Sequence, residues 1–232
     1  AYDSSETVQP DPSLWSTYLA TVTANSATAP DATNTAALID DGASNDSHQV
    51  YINNPIYPAD TPFRLKCWFK DVDRRYAVMT IYTSGKWVAG LFDLQAGTVA
   101  DTDYSGADWS VTGSGISSAG SGWYECWIDV TISAAGGTSY LIISPSNSTT
   151  IGSGGLVSYT GSNKQFLAWH PTIVSDTASY QFVARQDFTA DVTNAISVPG
   201  GAKLSATAGI GWSGMLGTDG TTTNFTTCTI NA

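Results

Sequence analysis

The feature that most narrows the fold is a pair of strictly alternating segments, Arg64 to Lys70 (RLKCWFK) and Trp123 to Val130 (WYECWIDV). In the first, Leu65, Cys67 and Phe69 fall on one side and Lys66, Trp68 and Lys70 on the other. In the second, Tyr124, Cys126, Ile128 and Val130 oppose Trp123, Glu125, Trp127 and Asp129. A period of two is that of a β-strand with one buried and one wetted face. Each segment therefore sets a large indole among charges. An apolar ring on a polar sheet face carries a hydration cost unless protein or a ligand covers it.

The rest of the chain follows the same habit. From Trp15 onward, short runs of β-forming residues are separated by Gly, Pro, Asn and Asp, the spacing of a sandwich or barrel. Strands are expected near Tyr18 to Ala24, Ala36 to Ile39, His48 to Ile52, Phe63 to Lys70, Tyr76 to Tyr82, Trp87 to Asp93, Trp109 to Val111, Trp123 to Ile132, Ser139 to Ile143, Leu156 to Thr160 and Phe166 to Trp169. Ser84-Gly85, Ala96-Gly97 and Gly136-Gly137 are turn dipeptides between neighbouring runs, which makes the architecture antiparallel. No window carries a capped apolar period of 3.6, so helix content is expected to be minimal. Residues 1–12, polar with two prolines, read as a flexible arm or linker, and 13–175 as the sandwich. Residues 176–232 read as a Gly-rich β extension for packing or assembly, with strands expected at Ala178 to Ala184 and Asn194 to Val198. In that extension Trp212, Met215, Leu216 and Phe225 call for burial.

Charge narrows the partners. Only 12% of residues are charged, against about 25% in an ordinary soluble domain, and the formal net charge is -11. Such a surface repels phosphate backbones and anionic lipid, which disfavours nucleic-acid and membrane partners and leaves a neutral partner such as a sugar open. The three cysteines, Cys67, Cys126 and Cys228, lack any C-x-x-C spacing. Cys67 and Cys126 read as small core-facing residues, and a bridge between them requires that their strands be neighbours.

The order of segments TVTANSATAPDATNTAALI, SHQVY, FRLKCWFKDVDRRYAVMTIY, GLFDLQAGTV, GSGWYECWIDVTI and YTGSNKQFLAWHPTIV, from about Trp15 to Val174, resembles the jelly-roll domains of phage and prophage tail or fibre proteins. The resemblance implies an all-β, two-sheet antiparallel jelly-roll sandwich related to non-catalytic carbohydrate-binding modules. It also implies a virion-surface, extracellular location, other virion proteins as partners, and a homo-oligomer, often a trimer in such fibres. The chain departs from the group at its end, where HPTIV stands in place of an acidic phrase.

Motifs for catalysis are missing. A glycosidase needs two carboxyl groups flanking the bond, and the only glutamates are Glu6 and Glu125. A polysaccharide lyase needs a Tyr or His base beside a cation; His48, Arg74, Arg75 and Tyr76 supply the residue types but not the phrases of that class. Neither histidine stands in a nucleophile or metal-ligand motif, so the chain reads as non-catalytic. Sugar binding needs less: rings that stack on pyranose C–H faces, and polar groups that fix hydroxyls. The candidate site is Lys66, Trp68, Lys70, Glu125, Trp127 and Asp129, with Tyr76, Tyr82 and Trp87 expected on adjoining strands. The competing assignment of the same rings is core filling, since a sandwich needs many aromatics between its sheets. Asp40, Asp41, Asn45 and Asp46 crowd one turn, where a structural calcium is the alternative to a solvated turn. The leading reading is host-surface polysaccharide binding; its rival is a purely structural virion decoration or fibre protein.

Overall fold

The computed structural model describes residues 6–8, 11–53, 60, 62–133 and 139–175, together with the strand backbone at 196–197, 203–208, 217–218, 221–222 and 225–231. The chain divides into two units, Ala1–Ala178 and Ser179–Ala232.

The first unit is all-β and antiparallel. In chain order its strands are β1 (Glu6–Val8), β2 (Ser16–Tyr18), β3 (Thr21–Ala27), β4 (Ala36–Asp40), β5 (Asn45–Ser47), β6 (Gln49–Asn53), β7 (Phe63–Asp71) and β8 (Tyr76–Thr83). There follow β9 (Lys86–Asp93), β10 (Thr98–Tyr104), β11 (Trp109–Gly120), β12 (Trp123–Ile132), β13 (Ser139–Ser146), β14 (Ser158–Thr160) and β15 (Gln165–Ser175). One large sheet runs β11-β12-β7-β15-β4-β3, with β1 also pairing β15; the other runs β10-β9-β8-β13-β6-β2. A small pair, β14-β5, stands apart. The two large sheets pack face to face as a jelly-roll-like β-sandwich.

The alternating segments set the interior. Leu65, Cys67 and Phe69 of β7 meet Cys126, Ile128 and Val130 of β12 on the inner face, all inaccessible to solvent. From the other sheet come Met79, Ile81, Val88, Phe92, Leu141 and Ile143. Gly90 lies in this layer because nothing larger fits: a Cβ there would stand 2.5 Å from Cγ2 of Ile128. The β8–β9 hairpin turns on Ser84 and Gly85, both at positive φ (46° and 83°), as a two-residue turn matched to strand twist requires.

Several elements differ from the sequence reading. Strand β10 was not expected; it is a polar edge strand whose Asp101 and Asp103 disguise it. Strand β11 continues past Val111 to Gly120 through a Gly- and Ser-rich run, and β15 continues past Trp169 to Ser175. Residues Glu6–Val8, expected in a free arm, pair with Thr172, Ile173 and Val174. The Gly136-Gly137 turn and most of the expected extension strands lie outside the described residues. In the second unit, β16 (Ile196–Ser197), β17 (Lys203–Ala208) and β20 (Phe225–Asn231) form one sheet, and β18 (Gly217–Thr218) pairs with β19 (Thr221–Thr222).

Cys67 and Cys126 are direct cross-strand partners, and both are free thiols. Burial pushes both thiols well above the usual cysteine range.

A buried polar knot ties loops that are far apart in the chain. The Asp41 carboxylate accepts from the backbone N–H of Ser162 (3.1 Å) and Lys164 (2.8 Å), from the Tyr159 hydroxyl (3.0 Å) and from the Arg74 guanidinium. Asp41 is fully buried and Arg74 is 6% exposed. Breaking such a pair from one side leaves an uncompensated buried charge.

Two outcomes are expected. Asp41→Asn destabilises the sandwich by about 3–5 kcal/mol in calorimetric or denaturant unfolding. Thiol labelling of the native chain with mass-spectrometric readout leaves Cys67 and Cys126 unmodified, while labelling in guanidinium modifies both.

Candidate functional site

Pairing of β7 with β12 brings the expected charged and aromatic residues into rows on the outer face of the first sheet. Trp68 stands opposite Glu125, Lys66 opposite Trp127, Arg64 opposite Asp129 and Lys70 opposite Trp123. Trp68 and Trp127 therefore point away from the interior, and both are half-buried. All six candidates from these two strands, Lys66, Trp68, Lys70, Glu125, Trp127 and Asp129, share this face.

The charges are arranged around the rings. Arg64 makes a two-point ion pair with Asp129 (2.7 and 2.9 Å), and its guanidinium carbon lies 3.8 Å from the centroid of Trp127. Lys66 Nζ sits 5.0 Å from the centroid of Trp68 and 3.7 Å from Glu125 Oε1, an electrostatic contact longer than a hydrogen bond. Trp127 also lies against the backbone of β11: a Cβ on Gly115 would come within 2.3 Å of its Cζ2. The glycines that hid this half of β11 in the sequence are thus the ones that seat the indole.

Strand β15 adds two residues that the sequence reading did not select. Trp169 stands directly opposite Trp68, with ring centroids 5.2 Å apart and edge to face. His170 stacks on Trp169 at 4.8 Å and meets Trp68 at 5.6 Å. Its φ of 53° marks a bulge between Trp169 and Thr172, so the HPTIV departure is where the strand kinks and brings the imidazole beside the indoles. Alternation of Phe166 and Ala168 against Leu167 and Trp169 was a usable signal for Trp169; the bulge hid His170. Trp123 is on this outer face as its register requires, yet only 2% exposed, in a buried cluster that also holds Ala29, Ala36 and Leu167.

Tyr76, Tyr82 and Trp87 are not on adjoining strands. They lie on β8 and β9, in the outer face of the opposite sheet, where Tyr82 pairs with Trp87. Tyr76 and Trp87 pack under the 151–159 segment with Val78, Leu91 and Val157. The Trp87 indole N–H is taken by Asp103 (3.0 Å), and a Cβ on Gly155 would stand 2.9 Å from Trp87 Cδ1. The segment is fixed there by Thr80, whose hydroxyl donates to the Gly155 carbonyl (2.6 Å), and by Asp101, which accepts from Ile151 N (2.8 Å). Those two rings are spent on packing; Tyr82 instead lines an open groove.

The residue types considered for a lyase do not converge. His48 is fully buried between the carbonyls of Leu19 (2.8 Å) and Tyr159 (3.2 Å). Arg74 is in the Asp41 knot, and Arg75 pairs with Asp93 while lying over Tyr76. That pairing, with the backbone N–H groups of Ala96 and Gln95, holds the Asp93 carboxyl below the usual range. The acidic turn also disperses. Asp40 binds Gly42 N and Gln165, Asp41 binds Arg74, Asn45 binds Thr160, and Asp46 binds Ser47 N, Tyr18 and Ser158. Among the described residues no three His, Cys, Asp or Glu side chains are placed to share a metal ion. No helix among them is long and apolar enough to cross a membrane.

No family model matches the chain, and no curated protein matches it. Chemically, the site offers half-buried indoles beside one loosely spaced acid–base pair and one tight one.

Seating of Trp127 on Gly115 is open to test. Gly115→Ala drives a methyl group into the ring and is expected to displace it, seen as a shift of the Trp127 indole N–H resonance while that of Trp109, buried and bonded to Ser133, stays in place.

Proposed function

We propose that the chain is a non-catalytic glycan-binding protein of a phage virion surface, tail or fibre, and that it engages host-surface polysaccharide through the outer face of the first sheet. The observation that carries the reading is the position of Trp68 and Trp127. Each sits outside the sandwich, half-buried, beside groups that can hold hydroxyls. A pyranose stacks its C–H face on an indole, while a carboxylate and an ammonium group held 3.7 Å apart, as Glu125 and Lys66 are, have room to share a hydroxyl between them. Lys70 and Asp129 flank the rows. The formal net charge of -11 favours a neutral or weakly charged polymer over a polyanion. Weak single contacts become retention when the chain is displayed in many copies, as in a homo-oligomer or trimer, because linked sites share a high effective concentration.

One observation favours a second reading, a structural decoration or fibre protein that uses the sandwich for assembly with copies of itself or other virion proteins. The rings of the outer layer already contact one another: Trp123 is covered, and Trp68 and Trp169 adjoin the same apolar cluster. A layer of this kind also suits subunit contact.

The two readings part under mutation. Trp127→Ala and Glu125→Gln are expected to lower retention on host polysaccharide by about tenfold or more in affinity electrophoresis, with the melting temperature and the oligomeric state unchanged. Loss of assembly in Trp127→Ala, with glycan retention never seen in the parent protein, would move the assignment to the structural role.

A further inference from the structure

A groove of about 590 Å³ lies across the outer face of the second sheet, on the side of the sandwich opposite Trp68 and Trp127. Its floor is set by strand register. Tyr82 of β8 stands opposite Tyr140 of β13, which stands opposite Asn53 of β6; one row along, Ile142 stands opposite Tyr51. Edge strand β2 forms one bank through Tyr18, and the 151–157 segment forms the other through Leu156. That bank is anchored by the Thr80 and Asp101 hydrogen bonds described above, so the cleft is built into the folded chain rather than being a gap between mobile loops.

The groove's chemistry is distinct from that of the first face. Tyr51 and Tyr140 meet edge to face, with centroids 5.8 Å apart and planes at 85°, so the two rings present differently oriented surfaces to one occupant. Gln49 and Asn53 supply amides that both donate and accept. No lysine, arginine, aspartate or glutamate is among the described residues lining the groove. At the rim, Asp46 accepts from the Tyr18 hydroxyl at 3.1 Å and raises that tyrosine's pKa. An anionic ligand would meet no cation in the cleft and a carboxylate at its edge; a cationic one would meet no carboxylate on the floor. The volume falls within the range of small-ligand clefts, about 300–1,000 Å³.

We infer that the tyrosine-floored groove is a second, independent ligand site, and that its ligand is a neutral oligosaccharide held by ring stacking and amide hydrogen bonds. This inference rests on the glycan-binding reading but places a separate site on the other face, which would let one molecule bridge two glycan chains.

The test uses the full chain in native gels cast with a neutral β-glucan, a neutral galactomannan or, for comparison, polygalacturonate. The expected result is retardation by at least one neutral polymer and none by polygalacturonate. Tyr140→Ala should weaken that retardation by about tenfold or more, while Tyr140→Phe, which keeps the ring, should retain most of it. Asn53→Asp, which places a charge on the groove floor without removing a ring, provides a second arm if Tyr140→Ala unfolds and should also weaken retention. In the Trp127→Ala background the remaining retardation should fall again when Tyr140 is replaced. Retention of every neutral polymer at parental strength in both Tyr140→Ala and Asn53→Asp would overturn the groove site while leaving the indole face as the glycan surface. Retardation by polygalacturonate that depends on Tyr140 would overturn the neutral class. Silence of the parent protein toward both neutral polymers would remove the groove proposal.

Discussion

The structure depends on the in-register pairing of β7 with β12. Because side chains alternate along both strands, one register decides two things together: Leu65, Cys67, Phe69, Cys126, Ile128 and Val130 close the core, and Lys66, Trp68, Glu125 and Trp127 are left outside it. A slip of one residue would bury charged side chains between the sheets and send the aliphatic set to solvent. The cross-strand Cys67 and Cys126 pair marks the register at its centre, with each thiol small enough to let Phe69, Phe92 and Phe166 fill the layer around it. Function, on either reading, starts from the residues that this register excludes from the interior.

A chain with so few charges uses them sparingly, and where they fall is informative. Nine lysines and arginines serve 232 residues, and three of them, Arg64, Lys66 and Lys70, are on the outer face of one strand. Two further cations among the described residues serve the fold. Arg74 completes the Asp41 knot, and Arg75 holds Asp93 at the head of the β9–β10 turn. The knot also bears on the second face, because Tyr159 and Ser162 at the end of the roofing segment are tied to it. The bank of the tyrosine groove is thus held at both ends, by Asp101 at Ile151 and by Asp41 beyond Val157.

Much of this was legible in the sequence, and the reason is strand periodicity. Phe63 to Lys70 and Trp123 to Ile132 announced both their extent and their faces, since a half-buried antiparallel strand leaves a clean alternation. Edge strand β10 did not, because water-facing Thr98 to Tyr104 carries few apolar residues to alternate. The second half of β11 was masked by glycines whose purpose, making room for Trp127, belongs to a different strand. For Tyr76 and Trp87, alternation tells outward from inward but neither which sheet their strands join nor whether an outward ring is roofed by a later loop. The tyrosine groove was the least legible. Tyr18, Tyr51, Tyr82 and Tyr140 come from four strands brought together only by the topology, although the alternation of Gln49, Tyr51 and Asn53 against Val50 and Ile52 carried part of the signal.

The most direct measurement is a titration of the eight indole N–H resonances of the labelled protein with oligosaccharide fragments of bacterial surface polysaccharide. If the register holds Trp68 and Trp127 outward as ligand-bearing rings, their resonances move with added fragment while that of Trp109, enclosed and bonded to Ser133, does not. Fixed positions for Trp68 and Trp127 throughout, under conditions where the fragment is shown to bind, would contradict the account.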